Sequence, residues 1–167
     1  MRCRGFEKVS FEQFKKDLKE FNNIDHLYGG INLPKRSTIG SAGYDFSSLY
    51  SFVLKPGEII KIPTGIKVYM KEDEYLTIVV RSSTGFKYNV RLCNQIVIVD
   101  TDYYNNKNNE GHIWLALQNH GDKDWIVKEG ERICQGVFGK FLIVDNEGKD
   151  FKERIGGIES TGKKGRD

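Results

Sequence analysis

From residue 24 onward, short apolar runs rich in β-branched residues alternate with clusters of glycine, proline, asparagine and aspartate. Turn residues at 55–57, 119–122 and 128–131 connect several of these runs. Many short strands joined by tight turns predict an all-β subunit, either a sandwich, a jelly roll or a barrel. Eight runs have the length and the alternation of strands: residues 51–54, 58–62, 65–70, 75–80, 96–99, 112–118, 124–127 and 133–141.

The region before these strands carries the one clear helical pattern, over residues 10–21. Ser10 and Gln13 have the spacing of a capping box at its start. An apolar face at this spacing usually packs against a core, so we interpret the helix as a packing element of an N-terminal extension, residues 1–25. The apolar face consists of Phe11, Phe14, Leu18 and Phe21.

Length and composition narrow the class of protein further. A chain of 167 residues predicts one well-buried domain, which we place at residues 1–152. The net charge of +3 is too small to indicate nucleic-acid binding, but it leaves basic residues for a phosphorylated ligand. The three cysteines lack the spacing of a disulfide framework or a zinc site, so we expect a cytoplasmic protein. No apolar run has membrane-spanning length, so no membrane partner is expected.

Residues 153–167 differ in composition from the rest of the chain. They contain four glycines among arginine, lysine, serine and threonine, with almost no apolar side chain to pack. Such a segment cannot bury enough surface to order itself, so we predict a flexible C-terminal arm.

Residues 93–104 carry the strongest candidate for catalysis. We interpret them as a β-hairpin in which Asp100 and Asp102 follow an apolar strand and precede paired tyrosines. A carboxylate at the end of a buried strand is held rigidly and partly shielded from water, so Asp100 could polarise one water molecule as a general base. The alternative is that Asp100 and Asp102 are ordinary turn residues.

Five segments, in order along the chain, resemble the motifs of the trimeric dUTPase family. The second segment in its Arg-Ser-Ser-Thr form and the fourth with Ile-Cys-Gln are most similar to the branch found in Gram-positive bacteria and their phages. The five segments are residues 40–45 (Gly-Ser-Ala-Gly-Tyr-Asp), 81–84 (Arg-Ser-Ser-Thr), Asn94 with 99–103 (Val-Asp-Thr-Asp-Tyr), 129–135 (Glu-Gly-Glu-Arg-Ile-Cys-Gln) and 154–162 (Arg-Ile-Gly-Gly-Ile-Glu-Ser-Thr-Gly).

This resemblance implies a jelly-roll or β-clip subunit that assembles into a homotrimer. Its three active sites would lie at subunit interfaces and would be shared among chains, with the arm bringing in the fifth motif. The implied reaction is hydrolysis of dUTP to dUMP and pyrophosphate. Mg²⁺ would be bound through the substrate triphosphate and waters, since it prefers phosphate oxygens and retains its own water ligands, so no direct protein ligand is expected.

The resemblance also implies a role for each motif residue. Asp100 corresponds to the residue that orients and deprotonates the attacking water. Asp45 corresponds to a supporting residue that pairs with Arg81 and approaches the water shell of Mg²⁺. The residues that correspond to phosphate contacts are Arg81, Ser82, Ser83 and Gln135, with Arg154, Ser160 and Thr161 on the arm.

Two of these assignments have structural alternatives. Arg81 could serve only as an ion-pair partner of Asp45, and Gln135, on an apolar strand, could simply satisfy backbone groups.

Base and sugar selection is implied for the third motif. The Asn94 amide would donate to a uracil carbonyl, and backbone groups at Val97 and Val99 would complete a pairing-like pattern. Tyr103 corresponds to the ring that packs under the deoxyribose and leaves no room for a 2′-hydroxyl. The alternative for Tyr103 is a plain core aromatic.

The sequence departs from the family pattern at several positions. Val97 replaces a usual glycine, and in the arm Ile158 and Glu159 replace a stacking ring and a glycine. Loss of stacking predicts weaker binding or a looser base preference. Residues 105–110 form an insertion outside the family core, as does the N-terminal helix; trimer packing, a surface loop and a partner site are the roles left open for them.

Two other functions compete with dUTP hydrolysis. A dCTP deaminase shares the fold, but its chemistry needs a carboxylate in the strand after the third motif, and residues 112–118 contain none. Alternatively, a phage-type dUTPase could use its insertion to bind a regulatory protein partner. Generic nucleic-acid binding is not expected, because the basic residues are scattered and form no platform with aromatic residues.

Overall fold

The computed structural model describes residues 2–148 and residue 154. In this part of the chain, strands predominate and three short α-helices accompany them: α1 Phe11–Asp17, α2 Ile24–Gly29 and α3 Ser82–Tyr88. A short 3-10 helix covers Thr101–Tyr103. The strands are β1 Gly5–Lys8, β2 Lys35–Arg36, β3 Tyr44–Ser47, β4 Phe52–Leu54, β5 Ile59–Pro63, β6 Ile66–Tyr69, β7 Glu74–Val80, β8 Val90–Leu92, β9 Val97–Asp100, β10 Trp114–Asn119, β11 Trp125–Val127 and β12 Arg132–Lys140.

The strands form antiparallel sheets that pack around one apolar core. The largest sheet has the order β2-β3-β12-β7-β9, and a second has the order β5-β10-β8. Two further pairs, β1-β6 and β11-β4, complete the arrangement. Inward-facing side chains of both larger sheets, among them Ile78 and Leu117, are fully buried. The prediction of an all-β subunit is confirmed.

All eight predicted strands are present, each within two residues of its predicted bounds. Alternation identified them because each has one face on the core: in β7 the side chains of Leu76 and Ile78 are buried while Tyr75 and Thr77 lie outward. Four strands were not predicted: β1, β2, β3 and β8. Each of these has two to four residues with at most two apolar side chains, so the sequence shows no apolar run there.

The predicted N-terminal helix is present but shorter than expected. Its cap is confirmed, since the Gln13 N–H donates to Ser10 Oγ at 3.1 Å. The helix ends at Asp17 rather than at residue 21, and Leu18 already leaves the helical region with φ −109° and ψ 35°. Leu18 is nevertheless buried. The apolar spacing therefore indicated which residues are buried, and a turn after the helix can bury Leu18 as well as a longer helix would.

Two helices were not predicted. In α2 the six residues give only one buried position, Leu27, so no apolar period is visible in the sequence. In α3 the only buried side chain is Thr84, and the large apolar Phe86 is 92% exposed. Helices this short are marginal by themselves and depend on tertiary packing, so they carry little pattern of their own in the sequence.

An ion pair joins the N-terminal segment to β7. Arg4 donates two hydrogen bonds to the Glu74 carboxylate, at 3.0 Å and 2.5 Å, and the Glu74 side chain is almost fully buried. These bonds, with a further one from the Lys71 N–H, outweigh the cost of burial and lower the pKa of Glu74 from its ordinary value to about 2. The ionised Glu74 carboxylate therefore connects the N-terminal segment to the sheet through Arg4.

We expect this ion pair to make stability depend on pH. A carboxylate whose pKa is lower in the folded state stabilises the fold above its ordinary pKa, and this stabilisation is lost as the pH falls from about 4.5 towards 2. Replacing Glu74 by glutamine should lower the unfolding free energy at pH 7 by about 2 kcal/mol, because a buried carboxylate loses its charged hydrogen bonds to Arg4, and should flatten its pH dependence in that window. Urea denaturation at pH 7, 4.5 and 3 measures both effects. Asp73→Asn, which removes an exposed pair with Lys140, is the control and should change stability little.

Candidate active site

The turn at residues 93–96 connects two sheets and is not the tip of a hairpin. Strand β8 before it pairs with β10, whereas β9 after it pairs with β7. The prediction of a β-hairpin over residues 93–104 is therefore wrong. Sequence spacing could not reveal this, because a tight turn, with Gln95 at φ 65°, looks the same whether or not the strands beside it pair with each other.

Asp100 ends β9, which is an edge strand of the five-stranded sheet in the described chain. Its neighbour Val99 is buried at 4% exposure, but the Asp100 side chain lies on the outer face and is 52% exposed. The expected shielding of Asp100 from water is thus not provided by its own chain. The pairing of Asp100 with Tyr75 fixes the position of its backbone on the sheet.

The Arg154 guanidinium binds both candidate carboxylates. Its Nη2 donates to Asp100 Oδ2 at 2.5 Å, and its Nε donates to Asp102 Oδ1 at 2.7 Å. Arg154, which the sequence predicts to bind phosphate, thus neutralises the predicted base in this structure. A residue in this place can reach either the carboxylates or a substrate anion, but not both with the same nitrogen atoms.

A cleft of about 640 Å³ lies along β9, with Trp114 and Ala116 of β10 also in its lining. Every candidate of the third motif borders it: Asn94, Val97, Val99, Asp100 and Tyr103. Arg154, a predicted phosphate contact, also lines it, and the rest of its lining was not predicted: Cys93, Ile98, Asn108, Asn109, Ile113, Trp114 and Ala116. The structure therefore gathers the predicted base-, sugar- and water-binding residues around one cavity.

The Tyr103 ring is fixed at one side of this cleft. Its hydroxyl donates to the main-chain oxygen of His112 at 3.0 Å and accepts a hydrogen bond from Asn109 Nδ2 at 2.8 Å. Burial raises the pKa of Tyr103, although the bond from Asn109 opposes the shift. Gly111 is required beside it, because a Cβ there would lie 2.6 Å from the Tyr103 carbonyl oxygen. Two hydrogen bonds thus hold the hydroxyl end of the Tyr103 side chain.

A second group of candidates surrounds Asp45 on β3. The Asp45 carboxylate binds Arg81 Nε at 3.2 Å, Arg132 Nη1 at 3.1 Å and Ser37 Oγ at 2.7 Å. The predicted pairing of Asp45 with Arg81 is confirmed as a contact. The carboxylate holds two guanidinium groups at one point of the surface, which favours the binding of an anion there.

Gln135, Ser82 and Ser83 complete this second group. Gln135 lies opposite Asp45 in the β12–β3 ladder, with its side chain against Gly43, where an added Cβ would lie 2.4 Å from Gln135 Oε1. Ser82 and Ser83 are exposed in the first turn of α3, directly after Arg81. The first N–H groups of a helix have no partner within it, so this turn offers donors to a ligand.

The two groups lie far apart in one chain. Asp100 pairs with Tyr75 near the start of β7, whereas Arg81 follows the last residue of the same strand. Six residues of strand separate these positions, which corresponds to about 20 Å. A water that contacts Asp100 therefore cannot attack a phosphate held by Arg81 of the same chain.

Part of the predicted site lies outside the described residues. Ser160 and Thr161, like Ile158 and Glu159, lie outside the described residues, as does the arm apart from Arg154. Within the described part, no group of three or more His, Cys, Asp or Glu side chains is arranged to hold a metal ion. No helix among the described residues is long and apolar enough to cross a membrane.

Comparison with known proteins identifies the class. A family model described as dUTPase matches residues 30–162. The deoxyuridine 5'-triphosphate nucleotidohydrolase of Lactococcus lactis is 42% identical over 163 residues, covering 97% of this chain and 99% of the relative. That of Buchnera aphidicola is 34% identical over 149 residues, covering 84% and 93%.

Solved structures agree in fold. The dUTPase from Streptococcus mutans superposes with a TM-score of 0.67 at 37% identity, over 85% of this chain and 99% of that one. The dUTPase from phage phi11 of S. aureus superposes with a TM-score of 0.65 at 16% identity, over 91% and 99%.

The chain belongs to the dUTPase family. The predicted jelly-roll fold and the predicted enzyme class are confirmed. The relatives from Lactococcus and Streptococcus agree with the predicted Gram-positive branch.

Proposed function

We propose that this protein hydrolyses dUTP to dUMP and pyrophosphate. The observation that carries the proposal is the cleft along β9, where Asn94, Asp100 and Tyr103 line one cavity in a chain of the dUTPase family. These side chains supply what the reaction needs beyond the phosphate clamp: an amide for the base, a ring for the sugar and a carboxylate for water.

Asp100 acts as the general base. It accepts a proton from a water molecule as that water attacks the α-phosphorus, and pyrophosphate leaves. Arg154 must exchange its bond to Asp100 for the γ-phosphate before this step, because a guanidinium on the carboxylate occupies the oxygen that takes the proton. Ser160 and Thr161 are proposed to bind the same phosphate.

Arg81, Ser82, Ser83 and Gln135 bind the α- and β-phosphates. The guanidinium of Arg81 is oriented by Asp45 at 3.2 Å, so it presents its remaining N–H groups in a fixed direction. Donors held in advance at the place where negative charge develops lower the barrier to cleavage.

Mg²⁺ would be held by the triphosphate and its own waters, with no direct protein ligand. The donor set of the described residues fits this, since Asp45 already binds three side chains and no ligand cluster surrounds it. Asp45 Oδ1, whose partner among the described residues is Arg81, would be able to accept a further hydrogen bond from a water of the ion. When bound, the ion neutralises charge on the phosphates. A phage dUTPase with this fold has a structural Mg(II) ion.

The active unit is a homotrimer with sites shared between chains. The separation of about 20 Å along β7 supports this, because Asp100 of one chain and Arg81 of another must meet at a common substrate. A run of exposed apolar side chains directly after β12 provides surface for subunit contact. It consists of Phe141, Leu142, Ile143 and Val144. The exposed free thiols Cys3 and Cys93 suit the reducing cytoplasm, which is the proposed compartment.

Uracil and deoxyribose are selected in the cleft. Asn94 is exposed at its border, and the edge strand β9 presents backbone groups at Val97 and Val99 for a pairing-like pattern with the base. Tyr103 excludes a 2′-hydroxyl by steric clash and by leaving that hydroxyl without a partner.

Product analysis with dUTP, dCTP, UTP and dTTP in parallel tests the proposal. We expect pyrophosphate from dUTP at a rate at least about a hundredfold above the other three, and loss of activity when EDTA removes Mg²⁺. Release of ammonia from dCTP would instead establish a deaminase. Orthophosphate from any substrate would contradict cleavage between the α- and β-phosphates.

A further inference from the structure

The N-terminal extension and the insertion at 105–110 bind each other. The family model begins at residue 30, so α1 and α2 lie outside it. Ser10, which caps α1, donates its N–H and its hydroxyl to the carboxylate of Glu110, at 2.9 Å and 2.5 Å. Lys67 Nζ joins the same carboxylate at 3.3 Å and reaches Asn105 Oδ1 at 2.7 Å. The cap of the helix thus fixes the end of the insertion.

A buried polar pair forms a second link. His112, fully buried, accepts a hydrogen bond at Nε2 from the Gly65 N–H at 2.9 Å, so its proton resides on Nδ1 and is donated to Asp17 Oδ2 at 2.6 Å. Burial opposes ionisation of Asp17, but hydrogen bonds from His112 and Gln13 outweigh it and lower the pKa of Asp17. Asp17, the last residue of α1, is therefore an ionised carboxylate that accepts the hydrogen bond from His112 Nδ1.

The hydroxyl of Tyr103 is bound by Asn109, which directly precedes Glu110 of the first link, and by the main chain of His112 of the second. This hydroxyl donates to the carbonyl oxygen of His112 and accepts from Asn109 Nδ2. Asn109 is itself fixed, because its Oδ1 accepts from Asn106 Nδ2 at 2.8 Å and from the Gly111 N–H at 3.1 Å. The extension and the insertion therefore converge on the far end of the tyrosine that borders the cleft.

We propose that Asn109 and the Asp17–His112 pair are positioning residues that hold the Tyr103 ring rigid against the sugar and so determine the discrimination between deoxyribo- and ribonucleotides. The proposal rests on the proposed function, and it gives the two added segments a common role. Rejection of one hydroxyl by steric clash needs a wall that does not retreat, and a ring anchored only at its Cβ can swing away.

Selectivity is measured by calorimetric binding of the α,β-imido analogues of dUTP and UTP, which does not depend on turnover. Asn109→Ala should reduce the dUTP-over-UTP affinity ratio about tenfold, and Tyr103→Phe, which removes the anchored hydroxyl, should do the same. Because both act through that hydroxyl, the double variant should lose about tenfold and not the product of the two. Asn32→Ala removes an exposed amide that binds a main-chain carbonyl elsewhere, and it should leave the ratio unchanged.

The extension is tested by a graded pair of variants at Asp17. Asp17→Ala leaves the buried Nδ1–H of His112 without an acceptor and should lower the ratio, whereas Asp17→Asn keeps an acceptor oxygen and should restore most of it. A lower melting temperature with an unchanged ratio in Asn109→Ala or Asp17→Ala would show a merely structural role and overturn the inference. Multiplicative losses in the Asn109/Tyr103 double variant would overturn it as well.

The proposed function and this inference fail in different ways. A wild-type protein that binds neither analogue contradicts both. A wild-type protein that prefers the dUTP analogue, with an Asn109→Ala variant that keeps the full preference, contradicts the inference alone.

Discussion

Replacing Asp100 by asparagine is expected to lower kcat for dUTP by about a thousandfold while the Kd for the nucleotide changes less than about threefold. The amide keeps the size and the position at the end of β9 but cannot accept the proton of the attacking water. Single-turnover kinetics and calorimetric binding on the same preparation separate the chemical step from binding.

Asp102→Asn is the matched control. Asp102 lies two residues away, is similarly exposed at 55%, and shares the contact with Arg154. A residue that only pairs with Arg154 should lower kcat by no more than about tenfold when neutralised. Near-normal turnover in Asp100→Asn, or equal losses in both variants, would remove Asp100 from the role of base.

The predictions from sequence succeeded where buried side chains recur at a regular spacing along the chain. All eight predicted strands have one face on the core, and Phe14 and Leu18 of the predicted apolar helix face are buried even though α1 itself ends at Asp17. The predictions failed where the local sequence does not indicate which strand a given strand pairs with. The turn before β9 joins strands of two sheets, and nothing in residues 93–96 distinguishes this from a hairpin.

The candidate site was likewise predicted only in part. Of the residues assigned from the motifs, Asp45 contacts Arg81 and Asn94 borders the cleft, while their roles toward a substrate stay predictions. Asn109 was missed because its insertion has no counterpart in the motifs. The one available signal was the abundance of asparagine in residues 105–110, since such side chains stabilise turns by binding nearby backbone.

Asp100 and Arg81 lie at opposite ends of β7, so one chain cannot bring both to the same substrate. The strand fixes Asp100 and Arg81 about 20 Å apart, and its pairing with β12 and β9 allows no shortening. A substrate that touches both must lie between chains. Inactivating one residue of the pair in some subunits and the other residue in the rest should therefore not inactivate every site.

Mixing Asp100→Asn and Arg81→Ala subunits is expected to restore activity that neither variant has alone. If each site takes Asp100 from one chain and Arg81 from its neighbour, a cyclic trimer that contains both variants has one intact site. Random exchange in a 1:1 mixture then gives about one quarter of wild-type activity per subunit.

The exchange is made by mild denaturation and refolding of the mixed variants, with each variant refolded alone as the control for background. Arg81→Ala should itself lower kcat/KM by about a hundredfold or more, because the α- and β-phosphates lose a guanidinium oriented by Asp45. A mixed sample no more active than its components, with exchange verified by mass under native conditions, would place Asp100 and Arg81 in separate functions. Recovery near one quarter would show that the catalytic carboxylate and the phosphate clamp reach one substrate from different chains.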